Sequence, residues 1–118
     1  MQSTCDVGIR QLPDAAVVEL TGELNSSASG VLGPAYEEAV RDTDPRTVIL
    51  DFTAVDYINS TGIALVVGVL ARARAESRTL VAVGLSDHYR EIFSITRLSD
   101  YMQMHADVAS AVGHPAGA

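Results

Sequence analysis

The stretch Thr47-Val48-Ile49-Leu50-Asp51-Phe52, followed after a short loop by the apolar segment from Ser60 to Ser77, decides the fold of this chain. The six residues from Thr47 to Phe52 are β-branched or apolar almost throughout, which is typical of a strand covered on both faces. A loop from Thr53 to Asn59 leads into a predicted helix, and a second buried strand follows at Leu80-Val81-Ala82-Val83-Gly84. Strands and helices that alternate in this way predict an α/β fold with a mostly parallel sheet.

The N-terminal third adds a hairpin and a helix to this pattern. Asp6–Gln11 and Ala15–Thr21 read as short strands around the turn Leu12-Pro13-Asp14. Ala28–Arg41 has the spacing of apolar residues that predicts a helix. Because proline lacks an N–H and clashes with the preceding turn, this helix is either kinked at Gly33-Pro34 or properly starts at the proline.

The C-terminal third predicts a helix from Ser86, a short edge strand within Tyr101–His105, and a helical turn or two over Ala106–Val112. Together the elements predict an α/β fold with a sheet of four to five mostly parallel strands, with an N-terminal hairpin strand and with helices covering the sheet. We expect a single domain over residues 1–112. Residues 113–118 are small and read as a flexible tail.

Charge excludes several classes of function. The chain has 118 residues and a formal charge of −7, and all 8 of its cationic side chains are arginine. Without lysine there is no P-loop, no Schiff base and no lysine general base. The arginines are scattered through an acidic sequence, whereas binding of DNA or RNA requires a basic face. Nucleic acid is therefore not an expected partner.

The sequence also predicts a cytoplasmic protein. It contains no run of about 18 apolar residues, so no membrane span is expected. The N-terminus lacks the basic start and the apolar run of a secretory signal. The single cysteine, Cys5, cannot form an internal disulfide, which fits a reducing compartment.

A cluster of polar residues that could form a functional site follows the first buried strand, at Tyr57-Ile58-Asn59-Ser60-Thr61-Gly62. In open α/β sheets, functional sites usually lie at the carboxyl ends of the strands, where this segment is expected to lie. A helix that begins there presents free N–H groups and the positive end of its dipole, which can hold a bound or covalently attached phosphate. The alternative is structural, since a serine or threonine before an apolar helix is most often only an N-cap worth about 1 kcal/mol.

The helix after this segment is unusually apolar. Ile63 to Ala71 has no polar side chain, whereas a surface helix of a small protein normally shows a polar stripe. One side of the helix can pack on the sheet. If the other side is uncovered, an apolar face beside a polar, modifiable helix tip is a protein-docking surface. The alternative is that the C-terminal segment Tyr101–Val112 lies over this side.

Other kinds of site are only weakly indicated. The three histidines lack the spacing of metal ligands, so no metal and no cofactor is expected. Asp51 and Asp56 flank the loop and could bind magnesium, but acidic residues near strand ends are more often solvated or capping. No G-x-S-x-G, G-x-G-x-x-G or P-loop motif occurs, and the chain is not expected to be an enzyme.

Two motifs carry a resemblance to a known family. Gly22-Glu23-Leu24-Asn25 early in the chain and Tyr57-Ile58-Asn59-Ser60-Thr61-Gly62-Ile63 at its middle, within this order of strands and helices, resemble the STAS domain. More narrowly, the chain is similar to bacterial anti-sigma factor antagonists over about Asp6 to Val112. Ser86-Asp87-His88-Tyr89-Arg90-Glu91-Ile92-Phe93 also looks like the family's helix after the fourth strand.

The resemblance implies a partner switch. In that family, the serine matching Ser60 is phosphorylated by an anti-sigma factor that is also a serine kinase, and a serine phosphatase resets the cycle. Phosphorylation ends the binding of the antagonist to the kinase, which supplies ATP and magnesium. The resemblance places the phosphate on Ser60, with Thr61 as a second hydroxyl that could be modified. It places partner binding on Asn25, Tyr57, Asn59, Ser60, Thr61, Gly62 and Ile63.

Two positions depart from the family pattern. Asn25 and Asn59 stand where the family usually has aspartate. Asparagine keeps the capping geometry and removes charge beside the acceptor, which bears on partner choice and on the phosphorylation rate. Two alternatives stay open. One is a non-switching STAS domain, a stressosome scaffold unit or a transport-complex subunit, which predicts a stable homo-oligomer or hetero-oligomer. The other is a domain that binds a small ligand or a nucleotide at the same helix terminus.

Overall fold

The computed structural model describes residues 5–112, which contain a five-stranded sheet with the order β1-β2-β3-β4-β5. The strands are β1 Cys5–Leu12, β2 Ala15–Leu24, β3 Thr47–Ile58, β4 Thr79–Val83 and β5 Gln103–His105. The first two strands form an antiparallel hairpin, and every later pair is parallel. The predicted α/β class, the hairpin and the mostly parallel sheet are confirmed.

Within the same residues, four α-helices connect or follow the strands. They are α1 Leu32–Arg41, α2 Ser60–Ala75, α3 Asp87–Ile95 and α4 Val108–Val112. Short 3-10 turns at Ser26–Ala28 and Leu98–Asp100 precede α1 and β5. No helix in this part of the chain has the length and apolar content needed to cross a membrane.

The three longer helices lie on one face of the sheet and enclose the main core. Leu20, Phe52 and Phe93 are no more than 2% exposed there, and the two phenylalanine rings meet edge to face with centroids 6.1 Å apart. On the opposite face, Ala111 of α4 joins a smaller cluster that includes Ile49. Alternate residues of β3 therefore serve two cores, which explains why the first half of this strand is continuously apolar.

Polar side chains tie the end of α2 to α1 and to the start of β4. The Tyr36 hydroxyl donates to the Glu76 carboxylate at 2.7 Å. The Arg78 guanidinium lies 3.1 Å from Glu76 and 2.8 Å from Asp44. Burial, together with the bond to Glu76, raises the pKa of Tyr36 to about 12, so the hydroxyl stays a neutral donor at physiological pH.

One predicted boundary in β3 is wrong. The segment Thr53–Asn59, expected as a loop, continues the strand as far as Ile58, because it pairs with β2 up to Leu24. The register shifts twice along this pair, and each time β3 carries one extra residue. Such β-bulges bend and twist a strand while keeping it in the sheet.

The helix predicted over Ala28–Arg41 begins later than its apolar pattern indicates. It starts at Leu32, after the 3-10 turn, and Pro34 lies in its first turn. Proline is tolerated there because the first N–H groups of a helix have no intrahelical acceptor. The structure therefore supports a helix start close to the proline and not a kink. The predicted tail, residues 113–118, lies outside the described residues.

Ser77 provides a test of backbone strain. It follows α2 with a φ of 60°, in the left-handed region that glycine adopts at lower cost than other residues. We expect Ser77→Gly to raise the free energy of unfolding by about 1 kcal/mol in urea denaturation. Ser29, which is exposed with a φ of −62°, is the control, and Ser29→Gly should give no gain. Equal gains from both substitutions would contradict the strain.

Candidate functional site

The carboxyl ends of β2 and β3 lie side by side. Leu24 and Ile58 are register partners in this parallel pair, and the Asn59 N–H donates to the Leu24 carbonyl at 3.2 Å. Asn25 and Asn59, which follow the two partners, therefore stand at the same edge of the sheet. We call this region the tip and define it as residues 23–25 and 56–62.

Asn59 is the N-cap of α2. Its Oδ1 accepts a hydrogen bond from the Gly62 N–H at 2.9 Å, and its own backbone is extended. Ser60 is the first residue of the helix and is exposed. Its hydroxyl makes no hydrogen bond to any residue between 5 and 112. The structural alternative, in which Ser60 is kept as the cap, is therefore wrong, because its neighbour caps the helix.

Asn25 caps the neighbouring 3-10 turn. Its Oδ1 accepts from the backbone N–H of Ser27 at 2.9 Å and from the hydroxyl of the same residue at 2.7 Å. Its Nδ2 donates to the Glu23 carboxylate at 3.3 Å. An aspartate could accept the first two bonds but could not make the third, because a carboxylate has no donor. The amide at this position thus suits the adjacent Glu23.

Gly62 lets α2 begin directly against the end of β2. A Cβ at this position would overlap the carbonyl oxygen of Leu24. The requirement for glycine comes from this close approach of two backbones and not from an unusual φ. Because main-chain atoms make the contact, the start of the helix, and with it Ser60, is fixed relative to the sheet.

One side of α2 faces solvent along most of its length. This side begins at Ser60 and Thr61 and continues through four residues without a polar side chain, among which Val67 is 43% exposed. Their spacing of one, three or four residues places them on one side of the helix. We call them the α2 face: Ala64, Val67, Gly68 and Ala71.

The C-terminal segment does not cover this face. Ala111 of α4 packs on the opposite face of the sheet. Tyr101 reaches α2 near its last turn, where the Arg74 guanidinium lies 4.9 Å from the centroid of the tyrosine ring. The alternative in which Tyr101–Val112 lies over the apolar run is therefore wrong, and the α2 face is open in the described part of the chain.

The remaining predicted residues divide between surface and core. Tyr57 is 49% exposed at the end of β3, and Thr61 is exposed beside Ser60. Ile63 is half-buried and packs against the main core. The structure thus places six of the seven predicted partner-binding residues in the tip, and the seventh, Ile63, directly follows the tip in the first turn of α2.

Tyr89 of α3 is a contributor that the sequence did not indicate. Its hydroxyl oxygen accepts a hydrogen bond from the Ile58 N–H at 3.0 Å. The neighbouring strand β4 ends at Val83 and is paired with β3 only as far as Asp51, so the tyrosine supplies an acceptor beyond the reach of that strand. One half-buried tyrosine on a helix, 31 residues from its partner, carries no sequence signal for such a bond.

The acidic residues near the tip do not form a metal site in the described residues. Asp51 accepts from the backbone N–H of Thr53 at 2.9 Å and from its hydroxyl at 2.6 Å, which is local turn chemistry beside a bulge. Between residues 5 and 112, no group of three His, Cys, Asp or Glu side chains is arranged to hold a metal ion.

Comparison with known proteins decides the family. A family model described as Mlab, STAS domain, matches residues 7–106 of this chain. The chain belongs to the STAS domain family. The resemblance carried by Gly22–Asn25 and Tyr57–Ile63 is thereby confirmed.

Two relatives of this STAS domain are named anti-sigma-B factor antagonist. The relative from Staphylococcus aureus is 30% identical over 92 residues, which cover 75% of this chain and 81% of the relative. The relative from Listeria monocytogenes is 40% identical over 55 residues, which cover 47% of this chain and 48% of the relative. The matched part of this STAS domain thus spans about half the length of the Listeria protein.

Solved structures share the fold at lower identity. An anti-sigma factor antagonist from Mycobacterium paratuberculosis has a TM-score of 0.79 and 18% identity, with 93% of this chain and 92% of that chain covered. The Bacillus cell fate determinant SpoIIAA in its phosphorylated form has a TM-score of 0.69 and 20% identity, with 92% and 97% covered. At these identities the likeness establishes the fold of the STAS domain alone.

Two glycines of α2 give a matched test of the contact at the tip. Gly62→Ala should lower the free energy of unfolding by about 1–3 kcal/mol, because the new Cβ meets the Leu24 carbonyl. Gly68→Ala should raise it by about 0.5–1 kcal/mol, because alanine favours the helix and nothing lies within 4 Å of the added carbon. Urea denaturation measures both. A Gly62→Ala variant as stable as Gly68→Ala would rule out the close approach of α2 to β2.

Proposed function

We propose that this STAS domain is an anti-sigma factor antagonist that acts in a cytoplasmic partner-switching cycle. Ser60 is exposed at the first position of α2, and Asn59, not Ser60, caps this helix. This placement of Ser60 is the observation that carries the proposal. The relatives named anti-sigma-B factor antagonist support the same function. The proposed partners are an anti-sigma factor that is also a serine kinase, and a serine phosphatase.

In the proposed step, Ser60 accepts a phosphoryl group. Its Oγ attacks the γ-phosphorus of ATP held by the kinase, and an O–P bond forms as the bond to the β,γ-bridging oxygen breaks. ADP leaves, and the hydroxyl proton passes to a base of the kinase. The phosphatase hydrolyses the phosphoserine, which restores the hydroxyl and releases inorganic phosphate. The partners supply the nucleotide and metal chemistry, in keeping with a sequence that has no lysine and no nucleotide motif.

The tip suits a phosphate that leaves the fold intact. The free N–H groups and the dipole at the start of α2 favour an anion on Ser60. Asn59 holds the capping hydrogen bond to Gly62, so modification of the serine removes no bond of the fold. As an amide, Asn59 also brings no negative charge next to the phosphate.

The same phosphate opposes binding of the kinase. For transfer to occur, Ser60 must lie beside the γ-phosphate of ATP, so the phosphoserine is left facing the phosphates of ADP. A phosphate of about −1.5 to −2 charge next to another anion costs several kcal/mol. Each 1.4 kcal/mol is about tenfold in affinity. Since the α2 face continues directly from Ser60, a partner bound on that face cannot avoid the modified residue.

The acceptor can be identified directly. Incubation with Mg²⁺, ATP and each anti-sigma-type serine kinase of the source genome should place a single phosphate on Ser60, located by mass spectrometry of peptides. Ser60→Ala should lose the phosphate, whereas Thr61→Ala should keep it. Modification of Ser60→Ala at the wild-type rate would overturn the assignment.

A charge at the acceptor should act on binding and not on folding. Ser60→Glu should weaken binding to the kinase by about tenfold to a hundredfold in calorimetry. Its melting temperature should change by no more than about 2 °C, because Asn59 retains the cap. Ser60→Gln has nearly the same size without the charge and is the control. Wild-type affinity in Ser60→Glu would favour a non-switching STAS domain instead.

A further inference from the structure

Cationic side chains concentrate at the end of the molecule opposite the tip. In a parallel sheet, the helices run back from the carboxyl ends of the strands to their amino ends. Residues in the last turns of helices, or just before the next strand, therefore lie far from the tip. Six of the 8 arginines are at such positions: Arg41, Arg46, Arg72, Arg74, Arg78 and Arg97.

The tip carries two carboxylates that form no ion pair with any residue between 5 and 112. The Glu23 carboxylate accepts a hydrogen bond from the neutral side-chain amide of Asn25 at 3.3 Å. Asp56 is exposed, one residue before Tyr57. Neither carboxylate lies within ion-pair distance of a cation among residues 5–112. Within the described residues, no ion pair therefore offsets either carboxylate beside Ser60 and the α2 face.

A third carboxylate stands at the same edge. Asp87 opens α3, whose position beside the tip is fixed by the bond between Tyr89 and the Ile58 N–H. Among residues 5–112, Arg90 is its ion-pair partner, at 3.8 Å, and the Asp87 side chain is fully exposed. In the part of the chain that the structure describes, the edge around Ser60 thus has more negative than positive side chains.

We infer that the partner surface which binds the α2 face is basic, with arginine or lysine placed opposite Glu23 and Asp56 around an apolar centre. The inference rests on the proposed function and adds the chemistry of the partner. The start of α2 favours a phosphate on Ser60 itself, but a kinase must bring the whole polyphosphate of ATP to this serine, and the Glu23 and Asp56 carboxylates repel it. Cations of the partner between the two anions remove the repulsion and attract the tip from a distance.

A second copy of this chain fits the same face less well. Packed antiparallel, it would bring the arginines at the end of α2 to the tip. Those side chains are already engaged, since Arg72 lies 3.3 Å from Glu37 and Arg74 stacks on Tyr101. Packed parallel, the two acidic tips would meet.

Association kinetics with the kinase that phosphorylates Ser60 test the inference. The tip pair, Glu23→Gln with Asp56→Asn, should slow association by about threefold to tenfold at about 50 mM salt. It should also flatten the salt dependence of the rate and change dissociation less. The control pair, Glu38→Gln with Asp42→Asn, removes the same charge from exposed residues of α1 and its end, and should stay within about twofold of wild type. Thermal melting checks that both variants are folded.

The outcomes separate this inference from the proposed function. A tip pair that associates as fast as the control pair, or faster, overturns the basic partner and leaves the phosphorylation switch in place. If no kinase of the genome binds the wild-type chain, the proposed function fails and the inference fails with it. A concentration-dependent dimer that Val67→Asp dissociates in analytical ultracentrifugation would assign the α2 face to a second copy and overturn the inference.

Discussion

The start of α2 rests on the backbone of β2, because Gly62 leaves no side chain between the helix and the Leu24 carbonyl. Asn59 reinforces the contact by donating its N–H to the same carbonyl at 3.2 Å and by capping the helix with its side chain. Since the contact is between main-chain atoms, the position of Ser60 depends little on side-chain rotamers. The exposed hydroxyl, the free end of the helix dipole and the adjoining apolar face all follow from this placement.

Much of the fold could be predicted because its strongest signals are local. Thr47–Phe52 is apolar without interruption, and the structure has a core on each side of it. Ile63–Ala71 lacks polar residues, and the α2 face is the side of this run that is exposed among residues 5–112. The position of the candidate site followed from two facts together, the end of a buried strand and a cluster of capping residues before a helix.

The errors arose where distant partners decide the structure. Thr53–Ile58 has no continuous apolar pattern, and it is a strand because β2 offers a partner as far as Leu24 and bulges absorb the change of register. Which residue caps α2 depends on where the helix starts to within one residue. Asn59, Ser60 and Thr61 are all of the capping type, so the sequence does not decide among them. The face on which α4 packs depends on where Ala111 fits, and a short helical segment carries little information about that.

Asn59 stabilises the start of α2, whereas the adjacent Ser60 is the proposed site of regulation. Loss of the serine costs no bond within the described structure, whereas loss of the asparagine removes the bond to Gly62. Under the proposed function, the two positions differ in their genetic consequences. A cell with a changed serine makes a normal amount of folded protein and has transcription locked in one state. A cell with a changed asparagine is expected to accumulate less protein, and measurements of abundance alone would detect only the second defect.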